Sequence, residues 1–438
     1  MTAPSENSAA SRKFPESAVF YRDLERTYQI AKRAAGAWIE ADDGRRWLDA
    51  CGGALTISVG HGRREVVEAA TRQLAEVDYV HGAQFTTAAM EEAAALLVDS
   101  LPPAYRNAKV YLTPGGAEAV ETAIKLARAH ALADGHPERH RIVSQRPGYH
   151  GNTLGALAVS GRDSLRAPYL PLLAEMPLVA APWCPRCPLG LRYPECEVAC
   201  AAEVDRAVES AAGSAAAVLV EPVLGASAGG FAPPEDYLRS VRRTTADAGV
   251  LLIADEVLSG CGRTGRFLAS EHAGVDADIV VLGKGLTSGF LPGGAVVAKP
   301  EVVEAVAPDF RHGFTFSHHP VVAAVVREVL RVIRDEGLVA RAASMEDAFR
   351  TALEPLGGET AVEGWWGRGL LAGIALRPES AGGRSARRFA ASAWERGLLV
   401  YPVGGPEGEG DLVLLAPPLT IHRDDLAEIG RRLLSAFA

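Results

Sequence analysis

Three unbroken aliphatic runs in the middle of the chain predict strands that are buried on both faces. The runs are Ala217 to Val220, Val250 to Ala254 and Ile279 to Leu282. Continuous rather than alternating hydrophobicity is typical of a parallel sheet that is covered by helices. The segment Glu235 to Ala248 lies between the first two runs and predicts a crossover helix, so these strands are expected to run parallel.

An ionisable residue follows each of these runs. Glu221 and Asp255 follow the first two directly, and Lys284 lies just beyond the third. Parallel strands that are joined by crossover helices have their carboxyl ends at one edge of the sheet, which is where open α/β sheets bind ligands. The pattern therefore predicts that two carboxylates and an amine converge at one site.

A glycine pair, Gly115 and Gly116, precedes a set of apolar residues at helical spacing. The apolar residues are Val120, Ala123, Ile124 and Ala127. The free N–H groups and the positive dipole end at the start of a helix suit a phosphate group. For a glycine pair taken alone, a tight turn is the alternative.

The chain is expected to divide into a larger and a smaller domain. Residues 76–330 form the large domain in this interpretation, and residues 331–438 form a smaller C-terminal α+β domain. The smaller domain is expected to contain strands near Leu371 to Leu376 and Leu412 to Leu415. Residues 1–75 are expected to be an N-terminal segment that packs with the small domain.

The composition argues against several classes of function. The 438 residues carry 45 Lys and Arg against 54 Asp and Glu, a net charge of −9. This balance, without a Lys/Arg run, disfavours nucleic acid and anionic membranes as partners. No apolar run reaches membrane-spanning length, Met1 to Glu16 lacks the apolar core of a secretory signal, and the six cysteines do not resemble a disulfide scaffold. A cytoplasmic location is therefore expected.

Six short motifs occur in a fixed order along the chain. They are Gly115-Gly116-Ala117-Glu118-Ala119, Tyr149-His150-Gly151, Glu221-Pro222, Asp255-Glu256-Val257, Gly262-Arg263-Thr264-Gly265 and Gly283-Lys284-Gly285-Leu286-Thr287-Ser288-Gly289. In letters, order and spacing they resemble the class III pyridoxal-phosphate-dependent aminotransferases. The resemblance implies the fold type I of these enzymes, with a mainly parallel seven-stranded sheet. It also implies pyridoxal 5'-phosphate as the cofactor and a homodimer with active sites at the subunit interface.

The resemblance assigns catalytic roles to Lys284, Asp255 and Tyr149. Lys284 is expected to form the Schiff base with the cofactor and to move the substrate proton as general base and acid. Asp255 is expected to keep the pyridine nitrogen protonated, so that the ring accepts electrons. Tyr149 and Val257 are expected to pack on opposite faces of the ring, with His150 hydrogen-bonded nearby.

The remaining cofactor contacts also follow from the resemblance. Gly115, Gly116 and Ala117 are expected to hold the phosphate, the last two through their backbone N–H groups, and Thr315 of the partner subunit is expected to add its hydroxyl. Glu221 is expected at the cofactor site in a supporting or structural role.

Two positions depart from the pattern of family members that use α-ketoglutarate. Those members commonly carry an arginine just before the Pro-Pro-Leu segment and a glutamate that pairs with it, but this chain has Leu414 and Ala226 there. Leu258 replaces a glutamine in the same way as in members that act on ω-amines and pyruvate. The acceptor is therefore expected to be pyruvate, glyoxylate, an aldehyde or a ketone rather than α-ketoglutarate.

Four cysteines lie close together in a proline-rich segment. Cys184, Cys187, Cys196 and Cys200 have the spacing C-x2-C-x8-C-x3-C. Four thiols can bind zinc tetrahedrally, but the two halves are closer in sequence than in common zinc modules. Free structural cysteines without a metal are the expectation, and a zinc site is the alternative.

The expected function is transfer of an amino group from an amine or amino acid to a keto acid or carbonyl acceptor. A racemase, epimerase or lyase is the alternative, because such enzymes use the same fold and cofactor. A non-catalytic binding protein is disfavoured, because Lys284 and Asp255 are both present.

Overall fold

The computed structural model describes residues 11–211, 213–307, 309–377, 385–403 and 410–437. Its strands are β1 Ser11–Arg12, β2 Tyr28–Gln29, β3 Ala31–Ala35, β4 Trp38–Ala41, β5 Arg46–Asp49, β6 Lys109–Thr113, β7 Arg141–Arg146, β8 Leu178–Ala180, β9 Ala215–Val220, β10 Leu251–Asp255, β11 Ile279–Leu282, β12 Gly294–Ala298, β13 Val362–Arg368, β14 Leu371–Leu376, β15 Leu398–Leu399, β16 Tyr401–Val403 and β17 Leu412–Leu415.

The α-helices alternate with these strands. They are α1 Gly52–Leu55, α2 Arg64–Glu76, α3 Ala88–Asp99, α4 Gly116–Ala133, α5 Leu154–Ala158, α6 Asp163–Arg166, α7 Ala199–Ser210, α8 Glu235–Ala248, α9 Pro300–Val306, α10 Pro320–Asp335, α11 Leu338–Leu353, α12 Ser385–Glu395 and α13 Arg423–Ser435. Short 3₁₀ turns lie at Pro103–Tyr105, Ala167–Leu172, Cys184–Arg186, Ala269–Ala273, Lys284–Leu286 and Glu354–Gly358. Within the described ranges, no helix combines the length and the apolar character needed to cross a membrane.

The central sheet has seven strands in the order β6-β12-β11-β10-β9-β7-β8. Neighbouring strands run parallel from β8 to β11, whereas β12 is antiparallel to both β11 and β6. The three predicted aliphatic strands are β9, β10 and β11, which are adjacent. This arrangement confirms the predicted α/β fold and brings the carboxyl ends of those strands together at one edge.

Local bounds differ from the sequence-based expectation by one or two residues. Strand β9 begins at Ala215 rather than Ala217, and β10 spans Leu251–Asp255, so Asp255 is the last residue of the strand. The crossover helix α8 has the expected bounds. Its Tyr237 packs with Val218 of β9 on one side of the sheet, while Leu219 packs on the opposite side. Burial on both faces therefore explains the continuous hydrophobicity of β9.

The C-terminal region contains a second, smaller sheet. It has four antiparallel strands in the order β13-β14-β17-β16, and the two strands expected there, β14 and β17, are neighbours. A separate sheet joins the N-terminal strands β3, β4 and β5 to β15 from the C-terminal region. The N-terminal segment thus shares backbone hydrogen bonds with the C-terminal region, through Leu48 and the Gly397 carbonyl among others.

Candidate active site

Lys284 lies just past the carboxyl end of β11, in the 3₁₀ turn that follows Gly283. Its φ angle is 40°, which places a non-glycine residue in the left-handed region. Burial lowers the pKa of its amine, although the negative charges of Asp255 and Glu221 act in the opposite direction. A desolvated amine at the sheet edge is the state required of a nucleophilic lysine.

The turn that carries Lys284 is fixed by the N-terminal segment. The hydroxyl of Ser58 donates to the carbonyl of Gly285 at 2.7 Å. The hydroxyl of Ser288 accepts the backbone N–H groups of Ser58 and Val59 at 2.9 and 3.0 Å. These three bonds offset the unfavourable backbone angle of Lys284 and fix the direction in which its side chain leaves the sheet.

Asp255 and His150 form a buried pair behind Lys284. Asp255 Oδ2 lies 2.7 Å from His150 Nδ1, and Asp255 Oδ1 accepts the backbone N–H of Val257 at 3.0 Å. Burial disfavours the charged imidazole, but the hydrogen bond and charge of Asp255 outweigh that effect and raise the pKa of His150. The carboxylate is therefore held in one orientation by two partners.

Glu221 supports the backbone that carries Tyr149. Its Oε1 accepts the N–H of Tyr149 at 2.8 Å, and its Oε2 accepts the N–H of Gly225 at 2.7 Å. Burial raises the pKa of Glu221, and the nearby His150 lowers it. Burial likewise raises the pKa of the half-buried Tyr149. Glu221 is thus a positioning residue for the Tyr149 segment.

Glu256 performs a different task from its neighbour Asp255. Its carboxylate accepts the backbone N–H groups of Ala269 and Ser270 at 3.0 and 2.8 Å and the hydroxyl of Ser259. Burial raises its pKa. Glu256 therefore caps the turn Ala269–Ala273.

The start of helix α4 at Gly116 lies beside Val257 and Gly283, and these residues together are called the cradle. Helix α4 begins at Gly116, and the N–H of Ala119 is the one that bonds back to the Gly115 carbonyl, at 3.0 Å. The N–H groups of the first turn therefore have no acceptor within the helix. A Cβ atom at Gly116 would lie 3.1 Å from Val257 Cγ1, and one at Gly283 would lie 3.2 Å from the same atom. Because neither glycine has a side chain, the backbone at both positions lies close to the Val257 side chain.

The donor set of this cradle fits pyridoxal phosphate. The amine of Lys284 suits its carbonyl group, the carboxylate of Asp255 suits its pyridine nitrogen, and the N–H groups at Gly116 and Ala117 suit its phosphate. All of these residues lie at the carboxyl edge of the sheet or at the start of α4. The sequence-based expectation for these positions is thus compatible with the geometry of the chain.

Thr315 lies apart from this group on an exposed loop. Its backbone carbonyl accepts the hydroxyl of Tyr79 at 2.9 Å. Within the described part of the chain, its own hydroxyl has no hydrogen bond to the residues of the site. The loop is attached to the sheet edge at Ser317, whose Oγ lies 3.0 Å from the Tyr111 hydroxyl. One subunit therefore does not by itself join Thr315 to the cradle.

Two arginines of the site were not identified from the sequence. Arg263, in the Gly-Arg-Thr-Gly motif, is buried and donates to the carbonyls of Ile57 at 3.1 Å, Leu370 at 3.2 Å and Pro417. Burial lowers its pKa to about 10. Arg162 lies in the electrostatic environment of the Tyr149 phenol. No motif marked Arg162, because its position depends on contacts that are distant in sequence.

The three residues expected to determine the acceptor lie in one apolar cluster. Ala226, Leu258 and Leu414 are buried together, with exposed fractions of 8%, 9% and 0%. A Cβ atom at Gly230 would lie 2.8 Å from Leu414 Cδ2, so Leu414 fills the available space. This cluster is thus closely packed and apolar.

The four clustered cysteines line one small cavity. Cys184, Cys187, Cys196 and Cys200 all border it, together with Trp183. They are free thiols, and burial raises the pKa of Cys200 to about 12. In the ranges that the structure describes, no group of three or more His, Cys, Asp or Glu side chains is arranged to hold a metal ion. The geometry thus gives no support to the zinc alternative.

Comparison with known proteins identifies the family. Residues 20–437 match the family model for aminotransferase class-III. The chain belongs to the class III aminotransferases. It is 36% identical to the acetylornithine aminotransferase of Mycobacterium bovis, with 89% of this chain and 87% of the relative covered. It is 30% identical to the putrescine–pyruvate aminotransferase of Pseudomonas aeruginosa, with 95% and 93% covered.

A solved transaminase structure agrees with the fold. The ω-transaminase of Pseudomonas jessenii in complex with PMP has a TM-score of 0.88 and 29% identity over 94% of this chain and 92% of that one. Fold type I, pyridoxal phosphate as cofactor and transamination as the reaction are thereby confirmed. The racemase, epimerase or lyase alternative is not favoured.

Proposed function

We propose that this aminotransferase passes the amino group to a small monocarboxylate keto acid, such as pyruvate or glyoxylate, or to an aldehyde or ketone, and not chiefly to α-ketoglutarate. The single observation that carries the proposal is the apolar cluster around Leu414 and Ala226. A second carboxylate at that place would be desolvated without a cation to pair with it. The Pseudomonas aeruginosa relative, by its name, also uses pyruvate.

The acceptor assignment is tested by specificity constants and by one paired substitution. Wild type is expected to show kcat/KM for pyruvate or glyoxylate at least about tenfold above that for α-ketoglutarate. The Leu414→Arg/Ala226→Glu double variant restores a charge pair and is expected to shift this ratio toward α-ketoglutarate. Leu414→Arg alone buries an unpaired charge and is the control, with a lower melting temperature expected. A wild-type preference for α-ketoglutarate contradicts the proposal.

We propose the following roles at the site. Pyridoxal phosphate, when bound, supplies the electron sink for the reaction. The Lys284 amine carries the proton to and from the substrate carbon, aided by its lowered pKa. Asp255, held by His150, would accept a hydrogen bond from the protonated pyridine nitrogen and so keep it protonated. Tyr149 and Val257 fix the plane of the ring from its two sides.

The phosphate contacts extend this proposal to the quaternary structure. Gly115, Gly116 and Ala117 hold the phosphate at the start of α4, and Thr315 of the partner subunit adds its hydroxyl. The exposed position of Thr315 supports this assignment, because its own subunit gives that hydroxyl no partner among the described residues. The active enzyme is then a homodimer in which each subunit completes the other's phosphate site.

The dimer is further supported by exposed aromatic residues beside Thr315. Phe316 is 57% exposed, and Tyr79, which packs edge-on against it with 6.1 Å between the ring centroids, is 37% exposed. Phe316→Glu is expected to shift sedimentation toward a monomer and to weaken cofactor binding at least tenfold. Leu74→Glu, also 57% exposed but on α2, is the control and is expected to change neither property. A Phe316→Glu enzyme that remains dimeric contradicts the assignment.

The location of the enzyme is proposed to be the cytoplasm. The support is chemical: all six cysteines are free thiols, as is usual in a reducing compartment. Fractionation of the native producing cell tests it, with enzyme activity expected in the soluble cytoplasmic fraction and activity in an extracytoplasmic fraction as the contrary result.

A further inference from the structure

Arg162 differs from the other half-buried and buried arginines near the site in having no acceptor. Its Nε atom is fully buried and has no hydrogen-bond partner among the residues that the structure describes. Arg166, one helical turn later, donates to the carbonyls of Leu157, Ala158 and Ser160 at 2.9, 2.7 and 2.7 Å. In the described part of the chain, no hydrogen bond or ion pair joins the Arg162 guanidinium to another residue. A buried guanidinium N–H without an acceptor is costly unless a ligand supplies one.

The backbone before Arg162 is fixed against the segment that carries Tyr149. The N–H of Gly161 donates to the Gly148 carbonyl at 2.9 Å. The N–H of His150 donates to the Ser160 hydroxyl at 2.9 Å. A Cβ atom at Gly161 would lie 2.2 Å from a backbone oxygen of strand β7, so the two segments are in direct contact. The hydrogen bonds of the preceding residues, and not those of its own side chain, therefore hold Arg162 beside Tyr149.

Aromatic hydroxyl groups, and no carboxylate, determine the electrostatic environment of Arg162. Burial lowers the pKa of Arg162, and the groups that oppose this effect are the phenols of Tyr401 and Tyr149. Arg22, on the N-terminal segment, is a second cation close enough to act on the Tyr149 phenol. Among the described residues, these two phenols, and no carboxylate, are thus the groups that favour the charged form of Arg162.

Strand register relates Arg162 to the place where related enzymes have their substrate arginine. Tyr401 of β16 lies directly opposite Leu414 of β17. Directly opposed residues of an antiparallel pair project from the same face of the sheet. Arg162, near Tyr401, therefore approaches the same face of this sheet as Leu414, but from the Tyr149 side.

We propose that Arg162 binds the carboxylate of the keto-acid acceptor, as a specificity-determining residue that takes over the task of the arginine replaced by Leu414. The planar guanidinium donates two parallel hydrogen bonds to a carboxylate, so a short keto acid is anchored beside Tyr149. Leu414 and its apolar neighbours leave a second carboxylate unpaired, and the site thus selects monocarboxylates. This inference rests on the proposed acceptor class and names the residue that recognises it.

The kinetic test compares a charged acceptor with an uncharged one. Arg162→Ala is expected to lower kcat/KM for pyruvate about 10- to 100-fold, mainly through KM, while kcat/KM for propanal changes less than about threefold. Arg162→Lys keeps the charge but not the planar guanidinium. Its kcat/KM for pyruvate is expected to lie between those of wild type and Arg162→Ala. Arg146→Ala, a nearby arginine that is half exposed and pairs with Asp163, is the control and is expected to leave both acceptors unchanged.

A binding measurement provides a readout that does not depend on turnover. Propionate, an unreactive carboxylate, is titrated into the holoenzyme in a calorimeter. Its dissociation constant is expected to rise at least about tenfold in Arg162→Ala and to stay unchanged in Arg146→Ala. Equal losses for pyruvate and propanal, or propionate binding that does not depend on Arg162, overturn the inference.

Different results would contradict the proposed acceptor class and the proposed role of Arg162. A wild-type enzyme that prefers α-ketoglutarate contradicts the proposed acceptor, whatever Arg162 does. A wild-type enzyme that prefers pyruvate but whose Arg162→Ala variant keeps full kcat/KM for pyruvate contradicts the role of Arg162 alone. Circular dichroism and the melting temperature of each variant establish that it is folded before either comparison is made.

Discussion

Asp255 Oδ2 lies 2.7 Å from Nδ1 of His150 in a pair that is buried on all sides. The second carboxylate oxygen accepts the N–H of Val257, so both oxygens have fixed partners. A carboxylate that is fixed in this way cannot rotate away from a ring nitrogen that it stabilises, and preorganisation of this kind is a large part of enzymatic electrostatics. His150 is thus a positioning residue for Asp255.

Substitution of this pair is expected to affect catalysis unequally. Asp255→Asn removes the negative charge at the ring nitrogen and is expected to slow the amine half-reaction by about 100-fold or more. His150→Asn leaves the charge but releases its orientation, and a loss of about tenfold is expected. Stopped-flow absorbance of the holoenzyme measures both rates. His140→Asn, an exposed histidine, is the control, and a His150→Asn enzyme with wild-type rates would contradict the positioning role.

The same pair predicts a pH dependence of stability in the apoenzyme. The pKa of His150 is raised above its ordinary value of 6.5 in the folded state. Its contribution to the free energy of unfolding is therefore full below that value and is lost as the pH rises through the folded pKa. The stability difference between wild type and His150→Asn is expected to be larger at pH 6 than at pH 9 in urea unfolding. A difference that grows with pH would show the opposite sign of the shift.

A methyl group added to a glycine of the cradle is expected to weaken cofactor binding. Gly283→Ala places a Cβ atom 3.2 Å from Val257 Cγ1. The Val257 side chain must then move, which is expected to reduce the space for the cofactor. The dissociation constant for pyridoxal phosphate is expected to rise at least about tenfold, as measured by fluorescence titration. Gly357→Ala, where nothing lies within 4 Å, is the matched control. Adding Val257→Ala to Gly283→Ala is expected to recover part of the affinity, and no recovery would mean that the contact is irrelevant.

Replacement of Arg263 is expected to cause a large loss of stability. Its guanidinium joins the motif loop to the N-terminal segment at Ile57 and to the C-terminal region at Leu370 and Pro417. Arg263→Met leaves three carbonyls without this donor, and a loss of about 2–5 kcal/mol is expected in chemical denaturation. Arg311→Met, which removes an exposed arginine paired with Asp309, is the control and is expected to cost far less. A neutral Arg263→Met variant would refute the bridging role.

The strands that position the site were predictable because their burial is local and complete. The runs in β9, β10 and β11 are apolar on both faces, so their pattern alone indicates a covered parallel sheet. Their order then brings Asp255 and Lys284 to one edge without further information. The helix start at Gly116 was also visible, since a glycine pair precedes a clear helical period.

The arginines were not predictable, because long-range contacts determine their roles. Arg162 gains its position from the bond between Gly161 and Gly148, and Arg263 gains its partners from the carbonyls of Ile57 and Pro417. Neither contact has a periodic signature in the sequence. The role of Glu221 in holding the N–H of Tyr149 was likewise invisible, since only the fold brings the two residues together.

Chemical labelling of the holoenzyme tests the central role of Lys284 most directly. The chain has only six lysines, Lys13, Lys32, Lys109, Lys125, Lys284 and Lys299, so reduction with sodium borohydride and peptide mapping distinguishes them all. The cofactor is expected to be fixed to Lys284 alone, with one label per subunit, and Lys284→Ala is expected to take up no label and to lose transamination. A label on another lysine, or full turnover by Lys284→Ala, would contradict the account.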